Sequence, residues 1–286
     1  MKSGFVAVAG RPNVGKSTLV NALAGGKVAI VSDKPQTTRR RIAGVVNGDG
    51  YQLVLVDLPG FQRPLDPMTE RMQRTVDQAF EDVDAVLFVL STRDRIGAGD
   101  RFIAQRVFSL GVPVVIALNK VDRLKPGHVA TQMDTASKLG DFHALHPVSA
   151  KTGDGVAELR EELVELLSEG PAYFPPEQRS DLSPEEEIAE LIREKALALT
   201  REEVPHAISV EVEEVDEKVV RASLYVETES QKQIVVGKGG SLVKEIGVRA
   251  RPEIEHLLGH PVFLELQVKV RPRWRRDERL LERLGI

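Results

Sequence analysis

The chain has 286 residues, 42% of them hydrophobic, which is length enough for two domains with cores of their own. It contains no cysteine, so disulfides and thiolate metal sites are excluded, and no apolar run approaches the roughly 18 residues needed to span a bilayer. The net charge of −4 does not by itself indicate a nucleic-acid partner, but it is unevenly placed: residues 183–230 carry 5 Lys/Arg against 14 Asp/Glu, and residues 231–286 carry 12 against 7.

The first apolar run, Phe5–Ala9, reads as a buried strand that enters Gly10-Arg11-Pro12-Asn13-Val14-Gly15-Lys16-Ser17 and leaves into a helical stretch beginning at Ser17-Thr18. A strand, a glycine loop and a helix N-terminus form a phosphate cradle, because the glycines let consecutive N–H groups turn inward and the helix dipole adds to them. Lys16 is expected along the β- and γ-phosphates and the Ser17 hydroxyl on Mg²⁺, so the chain is expected to bind a nucleoside triphosphate. Next comes a polar stretch, residues 32–41, with Thr37-Thr38 before Arg39. A threonine here can place its hydroxyl on Mg²⁺ and its N–H on the γ-phosphate; Thr38 is preferred and Thr37 is the alternative. Asn47-Gly48-Asp49-Gly50 is a tight-turn cluster between two apolar runs, which predicts an antiparallel hairpin. The second of these runs closes on Asp57-Leu58-Pro59-Gly60, where Asp57 is expected to hold Mg²⁺ through water and the Gly60 N–H to reach the γ-phosphate.

Farther on, Val112–Leu118 ends in Asn119-Lys120-Val121-Asp122, a polar tetrapeptide at the carboxyl end of a parallel strand. A carboxylate there accepts two hydrogen bonds from the N1–H and N2–H₂ edge of guanine, and adenine lacks those donors. Asn119 is expected to tie this loop to the phosphate loop, the Lys120 stem to cover the base, and Ser149-Ala150-Lys151 to supply an N–H for guanine O6. Strand and helix signals alternate to about residue 167, the pattern of a mostly parallel sheet covered on both faces.

Glu169 to Pro176 breaks all regularity, so residues 1–170 are taken as one domain, 171–182 as a linker and 183–286 as a second domain. Ser183-Pro184-Glu185-Glu186 is a capping box. Three strands of period-2 alternation follow, interrupted by Ile234-Val235-Val236-Gly237-Lys238-Gly239-Gly240 and a helical stretch containing Lys244 and Ile246. A bare G-x-x-G loop is more often a plain structural turn. Set in an α-β-β-α-α-β order, this one resembles a type II KH domain, which clamps about four single-stranded nucleotides. Val235 and Val236 can line a base groove or fill the core; Ile246 reads as core. Pro252 predicts a kink or break near residues 247–252. The tail interleaves Arg273, Trp274 and Arg275, with two readings open: base stacking on single-stranded RNA, or Trp274 packing a terminal helix onto the sheet.

Phosphate loop, switch threonine, D-x-P-G, N-K-x-D and S-A-K stand in the order found in translation-factor-like small GTPases. Together with Gln36-Thr37-Thr38-Arg39 and the second domain they identify the chain as resembling the Era family. The resemblance covers nearly the whole chain and implies an α/β P-loop GTPase domain followed by an α+β type II KH domain. It implies slow GTP hydrolysis using Lys16, Thr38 and Gly60, with GTP/GDP and Mg²⁺ bound. It also implies binding to the 3′ end of 16S ribosomal RNA and a role in 30S subunit assembly. Phe61 stands where Ras-type GTPases carry a water-orienting glutamine, and a phenyl ring cannot orient water. Asn13 has two open roles: to coordinate a K⁺ that replaces an arginine finger, or to brace the switch. An RNA-binding module with negligible hydrolysis is the alternative function. A cytoplasmic location is expected, with peripheral contact to an acidic membrane surface as a lesser expectation.

Overall fold

The computed structural model describes every residue except 35, 36, 62 and 63, and the side chain of residue 126. Gln36 of the expected switch motif therefore lies outside the described residues. The chain divides into two compact units: Met1–Ala29, Pro35–Pro64 and Met72–Asp181 form one, and Ile30–Lys34, Leu65–Arg71 and Leu182–Ile286 form the other.

The first unit is built on a six-stranded sheet. Its strands are β1 (Lys2–Ala9), β2 (Ile42–Gly48), β3 (Tyr51–Asp57), β4 (Ala85–Ser91), β5 (Val114–Asn119) and β6 (Ala144–Pro147), in spatial order β2-β3-β1-β4-β5-β6. All neighbours run parallel except β2 and β3, which form the expected antiparallel hairpin with Gly48 opposite Tyr51. Gly50 in the connecting turn has φ 73°, a left-handed conformation that suits glycine. β4 is buried at every position, as a central parallel strand covered on both faces must be. One face packs on α1 (Lys16–Ala24) and α5 (Val156–Glu165) through Leu19, Leu23, Leu159 and Leu163. The other packs on α3 (Ala98–Phe108) and α4 (Pro126–Ala136), together with the C-terminal part of α2 (Pro67–Ala79), through Val76, Ile103, Val107 and Ala136.

Residues 171–181, expected as linker, run along β2. The Val45 N–H donates to Arg179 O at 2.9 Å, and Asp181 Oδ1 accepts from the Ala43 N–H at 2.7 Å. The buried Gln52 amide clasps Tyr173 and Phe174 through their backbone groups. An edge strand leaves a row of backbone groups unpaired, and this segment satisfies several of them.

The second unit runs α6 (Pro184–Leu199), α7 (Val204–Ala207), β7 (Ser209–Val215), β8 (Val219–Val226), α8 (Glu229–Val236), α9 (Ser241–Leu258), β9 (Phe263–Val270) and α10 (Glu278–Arg283). Its three strands stand in the order β7-β8-β9, with β7 antiparallel and β9 parallel to β8. The capping box of α6 forms as expected: the Glu186 N–H donates to Ser183 Oγ at 3.3 Å and the Ser183 N–H to Glu186 Oε2 at 2.9 Å. Ile188, Ile192, Val220, Leu224, Val235, Ile246 and Ile254 fill the core. The expected break at Pro252 does not occur, and α9 runs unbroken through it. Pro252 removes the hydrogen bond to the Val248 carbonyl, but both residues are solvent-exposed, so water can take that acceptor. The acidic residues of β7 do not form a separate face. Glu213 pairs with Lys269 of β9, Glu214 with Arg221 of β8, and Glu211 with Arg283 of α10.

Candidate functional site

The phosphate loop joins β1 to α1 by way of three tight contacts. A Cβ on Gly10 would meet Val89 O at 2.5 Å, one on Gly15 would meet Asn119 Nδ2 at 2.4 Å, and one on Gly60 would meet Pro12 Cγ at 2.9 Å. Gly15 also has φ 100°, so no other residue suits this position. The D-x-P-G turn is thereby pressed against the phosphate loop. Lys16 is 7% exposed and its ammonium donates to Gly10 O and Arg11 O, both at 3.2 Å. Arg11 turns to α3, where its Nε reaches the buried Asp100 at 2.7 Å. Asn13 sits at φ 63°, and Thr18 is half-buried in the first turn of α1.

Ser17, Thr38 and Asp57 converge. Ser17 Oγ donates to Asp57 Oδ2 at 2.6 Å, Thr38 Oγ1 lies 3.1 Å from Ser17 Oγ, and Thr38 Oγ1 donates to Asp57 Oδ2 at 3.3 Å. The geometry thus puts the Thr38 hydroxyl at this cluster. Asp57 is fully buried, and its Oδ1 has no hydrogen-bond partner among the described residues. Oxygen donors with one buried, unsatisfied carboxylate oxygen fit a hard divalent cation such as Mg²⁺. Burial pushes the Asp57 carboxyl above its ordinary range against the pull of Lys16, Ser17 and Thr38. Burial likewise pushes the Lys16 ammonium down, with Asp57 opposing. A cation beside Asp57 and an anionic phosphate beside Lys16 would each reverse the local shift.

The base loop follows β5. Asn119 Nδ2 donates to Val14 O at 3.0 Å, which ties this loop to the phosphate loop. Its Oδ1 accepts from the Lys120 and Ala150 N–H groups, so in this structure the Ala150 N–H expected for guanine O6 is held by Asn119. The Lys120 ammonium donates to Asn13 O, and burial is the main cause lowering its pKa. Val121 bonds to Val148 O, and Asp122 Oδ1 accepts from the buried Ser149 hydroxyl at 2.7 Å. Asp122 itself is exposed, as is Lys151.

Three members of the expected nucleotide set turn away from it. Leu58 and Pro59 are buried, Leu58 in the core, leaving only their backbone for a ligand. Phe61 is 7% exposed; it stacks on Phe80 with ring centroids 5.8 Å apart and lies under the Arg106 guanidinium. Its apolar ring belongs to the core, not to the nucleotide.

In the second unit the G-x-x-G loop has Gly237, Gly239 and Gly240 at φ 71°, 60° and 80°. Lys238, Gly239 and Lys244 are exposed, and Gly240 precedes the first turn of α9. Beside α9 and β9 lies an open, mainly apolar groove of about 400 Å³, lined by Val243, Val248, Phe263, Leu264 and Leu266 with Lys244 and Arg251. Val248 is 51% exposed and Phe263 64%, an unusual exposure for an aromatic side chain. Val235 is fully buried, so it is core; Val236 is partly buried and Ile234 is exposed. Trp274 is 1% exposed, and its indole N–H donates to Ala207 O at 2.8 Å. It holds the tail to the unit, and the base-stacking reading is set aside. Arg275 is ion-paired with Asp66 of the same unit at 2.8 Å, which leaves Arg273 as the exposed member of that trio.

A family model described as 50S ribosome-binding GTPase matches residues 5–120, and a KH-domain model matches residues 203–275. GTPase Era of Lactobacillus helveticus (strain DPC 4571) is 45% identical over 289 residues, spanning 99% of this chain and 96% of that protein. The chain belongs to the Era family of GTPases. Among solved structures, Era in complex with MgGDPNP and nucleotides 1506–1542 of 16S ribosomal RNA matches at TM-score 0.96 and 38% identity, covering 100% of this chain and 99% of that one. A point-substituted Aquifex aeolicus Era bound to GDP·AlF4⁻ matches with the same score, identity and coverage. As an Era-family GTPase the protein hydrolyses GTP, with no side chain from position 61 available to orient the attacking water. Val243, Val248, Arg251 and Phe263, which line the groove beside α9 and β9, were not singled out in the sequence. One signal for Phe263 was present: it stands out of step with the core-facing positions of β9.

Proposed function

We propose that GTP binding in the first unit and capture of the 3′ end of 16S ribosomal RNA by the second form one linked equilibrium, which serves assembly of the 30S subunit in the cytoplasm. Asp122 accepts the guanine edge, and the amide-lined loop from Gly10 to Ser17 grips the phosphates. Lys16 neutralises charge as the γ-phosphoryl group leaves, and the Gly60 N–H donates to its oxygens. Ser17, Thr38 and Asp57 would hold Mg²⁺, which when bound supplies charge stabilisation on the β- and γ-phosphate oxygens. The Thr38 contacts to Mg²⁺ and to the γ-phosphate would exist only while a γ-phosphate is present, so hydrolysis would remove them and loosen that segment. In the second unit Lys238 and the G-x-x-G amides hold the RNA backbone, and Phe263 and Val248 offer apolar surface to unstacked bases.

The observation that carries this reading is the apolar groove with an exposed phenyl ring beside a G-x-x-G loop, in a chain related to an Era solved with MgGDPNP and 16S nucleotides. The test is binding of a 16S 3′-end oligonucleotide to the GTP-analogue-loaded protein carrying Lys238→Asp and Gly239→Asp. A Cβ at Gly239 meets nothing within 4 Å, whereas at Gly237 it meets the Leu242 backbone N at 2.9 Å, so Gly239→Asp brings no clash and only the cost of a side chain at φ 60°, which circular dichroism of the variant checks. Binding should fall at least tenfold; unchanged affinity removes the RNA assignment.

A further inference from the structure

Thr92 follows β4 directly and was not singled out by its sequence context. It is 3% exposed and uses both of its polar donors on one neighbouring loop. Its N–H donates to Asn119 O at 2.9 Å and its hydroxyl donates to Lys120 O at 2.8 Å. The first bond continues the parallel ladder in which Ser91 pairs with Asn119. The second lies beyond the ladder and has a different consequence. Lys120 holds φ 71°, a left-handed conformation unfavourable for a residue with a side chain. Its carbonyl also accepts from the Arg123 N–H at 3.2 Å, opening the single 3₁₀ turn Val121–Arg123 that carries Asp122. One buried threonine thus grips two successive carbonyls at the point where the chain reverses from β5 into the base loop.

We propose that Thr92 is a positioning residue for guanine specificity: its hydroxyl fixes the Lys120 carbonyl and so the height and tilt at which Asp122 meets the base. Thr92 touches no nucleotide itself. The inference rests on the reading of Asp122 as the guanine acceptor. Inosine diphosphate isolates the effect, because hypoxanthine keeps the N1–H but lacks the N2 amine, whose hydrogen bond to Asp122 depends most on where the carboxylate stands.

The experiment is calorimetric titration of the full chain with GDP and with inosine diphosphate, for the wild type, Thr92→Val, Thr92→Ala and Thr92→Ser. The isosteric Thr92→Val removes only the hydroxyl, and Thr92→Ala covers the case in which valine prevents folding. Both should weaken GDP binding about tenfold and shrink the GDP-to-inosine-diphosphate preference several-fold, while Thr92→Ser keeps both near wild type. A role confined to stability would lower the melting temperature and leave the preference untouched, and that result overturns the proposal. A wild type with no preference between the two nucleotides would instead refute the role of Asp122.

Discussion

Replacing Asp122 by asparagine tests base recognition at its centre. The Asp122 Oδ1 atom already accepts the Ser149 hydroxyl at 2.7 Å. In the variant the amide oxygen keeps that bond, and the amide NH₂ turns toward the guanine edge, donor facing donors. Each hydrogen bond to a charged group contributes about 1.5–3 kcal/mol. Asp122 is exposed before the base arrives, so the lower figure applies, and two such bonds make about 3 kcal/mol, or roughly a hundredfold in Kd. Xanthine carries a carbonyl where guanine carries its amine and can accept from the new NH₂. Titration with GDP and with xanthosine diphosphate should therefore show GDP binding weakened about a hundredfold and xanthosine diphosphate binding strengthened. If GDP affinity is unchanged, position 122 does not read the base.

Thr38→Val removes a hydroxyl 3.1 Å from Ser17 Oγ; affinity for a GTP analogue with Mg²⁺ should fall about tenfold while GDP affinity holds, and a loss shared equally by both nucleotides would contradict the assignment. Phe61→Gln should not accelerate hydrolysis, because residue 61 is packed on Phe80, and it should lower unfolding stability by about 3 kcal/mol in denaturant titration. A faster turnover in that variant would show that position 61 faces the nucleotide. Exchanging Na⁺ for K⁺ should raise the single-turnover hydrolysis rate of the wild type but not of Asn13→Ala; equal rates in the two salts would leave Asn13 with only a bracing role.

Features that depend on a few consecutive residues were legible in the sequence. The Ser183–Glu186 capping box, the β2–β3 hairpin at Asn47–Gly50 and the strand, loop and helix around Lys16 are of this kind, because local geometry fixes their backbone. The order of elements in the second unit followed from hydrophobic period. What the sequence did not carry was the direction of particular side chains. Phe61 and Trp274 stand in motif-rich neighbourhoods, yet tertiary packing on Phe80 and against Ala207 draws both inward. Pro252 was read by its interior-helix cost, yet α9 continues through it with Ala250 and Ile254 packed in the core on either side. The groove around Phe263 exists only once α9 lies beside β9, and the grip of Thr92 on Lys120 joins residues 28 positions apart. The stretch 171–181 has a linker's composition, and only the free edge of β2 explains why it is held.

The most direct test of linkage between the two sites is a pair of titrations on the full chain with a 16S 3′-end oligonucleotide and a non-hydrolysable GTP analogue. Linkage requires that the factor by which RNA tightens the analogue equal the factor by which the analogue tightens RNA, and couplings of this type run to about 5–150-fold. The account predicts equal factors above about 5, with GDP giving a smaller one. Nucleotide affinity that is the same with and without saturating RNA would contradict it.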